Sequence, residues 1–84
     1  MEEEIGKITH YFSQIDVGVL DLAKGSLAVG DTIHIKGHTT ELYMKVQSMQ
    51  VEHESIRIAE KGSQVGLKVD GPVRENDTVY KIVD

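Results

Sequence analysis

Leu27-Ala28-Val29-Gly30-Asp31-Thr32-Ile33-His34-Ile35-Lys36-Gly37 decides how this chain is read. Gly30 allows a tight turn, and Asp31 can bond the turn backbone and start a strand. Apolar and polar residues then alternate from Thr32 to Lys36. Ile33 and Ile35 take one face, and Thr32, His34 and Lys36 the other, which is the period of a strand. The stretch from Gly25 to Thr32 also comes close to the phosphate-binding loop G-x-x-x-x-G-K-[ST]. Asp31 stands where the lysine belongs, and a strand rather than a helix follows. A carboxylate there repels phosphate, so nucleotide hydrolysis is not expected.

The same alternation extends to both sides. Strands are predicted over Ile5–Phe12, Val17–Leu22, Leu42–Val51, Ser55–Ala59, Gln64–Val69 and Thr78–Val83. The apolar parity of the long Leu42–Val51 run flips at Met49, which predicts a bend at Gln47 and Ser48. Ile56 and Ile58 are expected to point inward. The inward face of the last strand is either Val79/Val83 or Tyr80/Ile82. Gly25, Gly37, Gly62 and Asp70-Gly71-Pro72 punctuate the runs. Gly62 and Gly66 are read as places where chains approach closely at a corner. No internal repeat stands out. Short strands at this spacing predict an all-β domain, a small six- or seven-stranded β-barrel.

The chain has 84 residues, room for one core, and a single domain over residues 5–84 is expected. Residues 1–4, with three consecutive glutamates, are expected to form a frayed, disordered end. The absence of cysteine excludes disulfides, thiolate metal sites and cysteine nucleophiles. That absence and the acidic start favour a cytoplasmic location. No apolar run is long enough to span a membrane.

Nine Lys and Arg against 14 Asp and Glu give a net charge of −5. Removing the three charges of Glu2, Glu3 and Glu4 leaves −2, so no broad basic footprint exists for nucleic acid. A local RNA contact is compatible with the formally neutral segment from His34 to Lys61.

His34 and His38 are four residues apart, but on a strand that spacing covers about 13 Å. No metal site is expected, and His10 reads as a core-edge residue. No Ser/His/Asp set suggests catalysis, so neither an enzyme nor a cofactor is expected. Tyr43 and Lys45 share the polar face of their strand and could stack on a base or dock a protein. His34, Lys36, His38, Tyr43 and Lys45 together are the candidate binding face.

Several pieces, in order, resemble domain II of the elongation-factor-like translation GTPases. These are Leu27–Gly37, Val46-Gln47-Ser48-Met49-Gln50-Val51, Ala59–Leu67 with Gly62 and Gly66, and Val73–Tyr80 with Asn76 where a glycine is usual. The resemblance implies a stand-alone translation-associated module contacting RNA, ribosome or a factor. It binds no GTP itself, because the GTPase domain is missing. A similar barrel also ends collagenase-like peptidases, and that resemblance implies a protein-interaction accessory domain instead. Oligomeric state is left open.

Overall fold

The computed structural model describes residues 1–83. Among the described residues ten strands and no helix form: β1 (Glu2–Phe12), β2 (Val17–Asp21), β3 (Leu27–Ala28), β4 (Thr32–Lys36), β5 (Glu41–Lys45), β6 (Met49–Val51), β7 (Glu54–Ile56), β8 (Ile58–Ala59), β9 (Gln64–Lys68) and β10 (Thr78–Ile82). The all-β reading stands. Eight strands make one antiparallel sheet in the order β5-β4-β10-β1-β2-β9-β6-β7, and β3 pairs with β8 in a second ladder.

The barrel of six or seven strands, expected to be closed or nearly closed, is not found as a closed one. The large sheet has two ends, β5 and β7, and no ladder joins them among the described residues. The sheet nevertheless curls. Laid flat, eight strands would span about 34 Å at the usual interstrand spacing, whereas the molecule measures 29 × 29 × 19 Å. The buried apolar side chains form one cluster, with Ile5, Ile8, Leu20, Ile33, Ile35, Leu67 and Val79 at its centre. The β3–β8 ladder joins the segment that runs through a turn into β4 with the segment that follows β7. Val29 N–H donates to Arg57 O at 2.8 Å beside it.

Three departures from strict alternation have local causes. A register shift between Ile8 and His10 in the β1–β2 pairing turns His10 outward, so it is exposed rather than at the core edge. The long Leu42–Val51 run breaks into β5 and β6 at the predicted bend. The Ser55–Ala59 run also divides, at Arg57, and Ile58 points outward, 68% exposed. Val79 takes the inward face of β10.

Glu2, Glu3 and Glu4 are strand residues, paired with Ile82, Lys81 and Tyr80 of β10. The N-terminal ammonium donates to Val83 O at 3.0 Å, and Glu4 pairs with Lys24 at 3.0 Å. The acidic end is therefore tied down rather than frayed.

The quoted Gly30-Asp31 motif is a turn of residues 28–31. Ala28 N–H donates to Asp31 Oδ2 at 2.9 Å, Asp31 N–H donates to Ala28 O at 3.1 Å, and Gly30 adopts φ +100°. Gly62 departs from the expected close approach: the space around it is open, and it is the positive φ of +96° that calls for glycine. Gly66 differs from expectation. It lies within β9, and a Cβ there would meet Val17 at 3.4 Å, an ordinary contact, so no forced close approach holds it.

Candidate functional site

Four strands put the candidate residues together. On the outer face, Tyr43 of β5 lies opposite His34 of β4, and His34 lies opposite Tyr80 of β10. Aromatic pairs across neighbouring strands pack well in such positions. The Tyr43 and His34 rings stack with centroids 4.0 Å apart and planes 8° from parallel. Tyr80 leans on the other side at 6.0 Å.

This packing changes the role of His34. Its strand parity is outward, as expected, yet it is only 4% exposed. Its Nδ1 lies 3.0 and 3.1 Å from the two carboxylate oxygens of Glu2. A carboxylate accepts, so Nδ1 carries a proton and donates. Tyr43 OH also donates to Glu2, at 3.4 Å. The His34 hydrogen bond is the first cause holding the Glu2 carboxyl below its ordinary value of 4.5. Nε2 of His34 is 3.4 Å from Glu41 Oε2, an ion-pair distance, but makes no hydrogen bond.

The arrangement is an aromatic platform anchored by a carboxylate. Tyr43 covers one face of the imidazole, and its own hydroxyl donates to Glu2 instead of to the ring. Tyr43 is itself 58% exposed, and Lys36 and Lys45 beside it are exposed. An exposed aromatic fixed by its neighbours loses little freedom on binding, which suits it to holding a partner. His38 is exposed in the turn after β4 and does not join the cluster. Among the described residues, no three His, Cys, Asp or Glu side chains converge as metal ligands. Two features escaped the sequence reading. Glu2 anchors the platform from the far end of the chain, and Tyr80 supports it from β10.

The sheet also carries a groove of about 270 Å³ lined by Ile15, Val17, Ser48, Gln50, Gly66 and Lys68. None of the five expected binding residues lines it. Among the described residues no helix is long and apolar enough to cross a membrane.

Set against known proteins, the chain matches no family model. It is 41% identical over 78 residues to an uncharacterized protease of Methanocaldococcus jannaschii, covering 92% of this chain and 19% of the relative. It is 33% identical over 78 residues to a collagenase of Porphyromonas gingivalis, covering 92% of this chain and 22% of that one. The chain thus spans about a fifth of the length of the curated relatives it matches. Among solved structures, it superposes on the C-terminal domain of a Geobacillus thermoleovorans chain described as a U32 peptidase. The TM-score is 0.87 at 15% identity, over 96% of this chain and 93% of that one, a likeness of fold.

These similarities overturn the translation-factor reading and, with it, the ribosomal and elongation-factor role. The likeness is to proteases, and the second resemblance drawn from the sequence is the one they favour. The error has a physical source. Gly30-Asp31 followed by alternating Thr32–Lys36 encodes a turn entering a strand, and that local chemistry carries no function.

Proposed function

We propose that this chain is a non-catalytic accessory domain of a U32-type peptidase, and that its platform holds polypeptide for a catalytic region outside it. The observation that carries this reading is coverage. Nearly the whole chain aligns with the M. jannaschii protease, yet it accounts for only 19% of that protein. An accessory role also fits a cluster that offers a rigid, exposed tyrosine with flanking lysines and no activated nucleophile. Tyr43 stacks on the partner chain, and Lys36 and Lys45 meet its carbonyl or acidic groups.

The test uses denatured collagen as the probe, with binding and cleavage followed in the same samples. The purified chain is expected to bind it reversibly and leave it intact. Tyr43→Ala is expected to weaken binding by about tenfold, the usual loss for an anchoring aromatic. Cleavage by the purified chain would overturn the non-catalytic assignment. Absence of binding would overturn the platform's role.

A further inference from the structure

β5 is one end of the large sheet, and its free edge has a definite pattern. Gly37 N–H donates to Thr40 O at 2.8 Å, and Val46 N–H donates to Asp31 O at 2.8 Å. Hydrogen-bonded and non-bonded pairs alternate along an antiparallel ladder. With the register His34↔Tyr43, the β5 residues bonded to β4 are therefore Leu42 and Met44. The backbone N–H and C=O groups of Glu41, Tyr43 and Lys45 point the other way. Among the described residues no hydrogen bond engages them, and all three residues are exposed.

The side chains along that edge read Glu41, Tyr43, Lys45 on the outer face and Leu42, Met44 on the inner. Turned end for end about Tyr43, the strand matches itself. Glu41 comes opposite Lys45 of a second copy, Tyr43 opposite Tyr43, Lys45 opposite Glu41, and Leu42 opposite Met44. We propose that two copies of this chain pair edge to edge through β5, antiparallel about Tyr43, joining their sheets into one.

Each of the three facing pairs whose backbone groups are free exchanges two hydrogen bonds. The two Glu–Lys pairs and the central aromatic pair are favourable cross-strand contacts. A two-fold axis through the Tyr43 pair makes the interface closed and self-complementary, so growth stops at two copies. The charges also exclude other pairings. A parallel alignment in register sets Glu41 on Glu41 and Lys45 on Lys45, which is how edge strands avoid promiscuous addition. The pairing uses the strand's backbone edge and does not depend on the peptidase reading. If both hold, it sets two Tyr43 platforms side by side.

Charge reversal tests the proposal. The wild-type chain in sedimentation velocity is expected to move from 9.3 kDa toward twice that mass between micromolar and millimolar concentration. Lys45→Glu gives a strand that faces itself with like charges, as does Glu41→Lys. Each alone is expected to self-associate about tenfold more weakly than wild type. Mixed in equal amounts, the two variants are complementary and are expected to form a heterodimer of wild-type strength. Thermal melts of each monomer confirm folding. A wild-type chain that stays monomeric at millimolar concentration would overturn the proposal, as would variants that self-associate like wild type or fail to pair when mixed.

Discussion

Two turns in this molecule share one design and differ in their surroundings. Residues 28–31 (Ala-Val-Gly-Asp) launch β4, and residues 74–77 (Arg-Glu-Asn-Asp) launch β10. In each, the third residue has a positive φ, +100° at Gly30 and +73° at Asn76. In each, the aspartate carboxylate accepts from the first residue's N–H, at 2.9 Å for Asp31 and 2.8 Å for Asp77. The two strands then pair with each other, antiparallel. The difference is burial. Asp77 is 3% exposed, with Gly37 packed so tightly against its carboxylate that a Cβ there would collide. Asp31 is half-buried. The same local chemistry is therefore a surface device in one place and a core element in the other.

The largest expected effect is at the buried turn. Asp77→Ala removes a buried carboxylate packed against Gly37, takes the partner from Arg74 N–H and should cost about 2–3 kcal/mol. The matching Asp31→Ala removes a carboxylate that is only half-buried and should cost about 1 kcal/mol, as for a lost cap. Urea unfolding of both variants measures the gap, and equal losses would erase the distinction drawn from burial. At the third position the two turns should respond by different amounts. Gly30→Ala puts a Cβ on a positive φ and should cost about 1 kcal/mol or more. Asn76→Gly removes a side chain from such a conformation and should change stability by only a few tenths of a kcal/mol, since asparagine tolerates it. Thermal melts under one set of conditions read both.

A smaller effect separates the N-terminal strand from these turns. The folded carboxyl of Glu2 is held below its ordinary 4.5 by its bond to His34. A depressed carboxyl stabilises the fold above its unfolded value and loses that contribution as pH falls through the lower folded value. Wild type should therefore lose stability on acidification below about pH 4.5 more steeply than Glu2→Gln. Parallel curves for the two proteins in pH-dependent melts would remove Glu2 from the platform.

The turns and most strands were legible because turn chemistry and period-two alternation are local. The similarity of the two turns was legible only in part: Asp-Thr recurs at 31–32 and 77–78, but Asn76 stands where a glycine is usual, and their shared positive φ is conformational. Parity counting failed wherever a strand was irregular. The shift after Ile8 turned His10 outward, and the break at Arg57 turned Ile58 outward. Glu52 and His53 form the turn between β6 and β7 with φ of +51° and +67°, values for which Asn-Gly would be the familiar signal. That hairpin therefore left no mark in the sequence. The five candidate binding residues were named from their face and charge. His34 is buried there because Tyr43, Tyr80 and Glu2 converge from three other strands, a matter of register between distant segments. The functional reading went to the wrong family because the quoted motif specifies a turn and a strand, and several kinds of protein use that pair.

The most direct test of the account compares two exposed aromatics on one protein. Tyr43 is 58% exposed on the platform, and Phe12 is 47% exposed beside the turn between β1 and β2. Denatured collagen is titrated into wild type, Tyr43→Ala and Phe12→Ala, at protein concentrations where each is monomeric. The account predicts weaker binding for Tyr43→Ala and an unchanged affinity for Phe12→Ala. Loss of binding in Phe12→Ala with Tyr43→Ala unaffected would contradict it and move the polypeptide contact to the other end of the sheet.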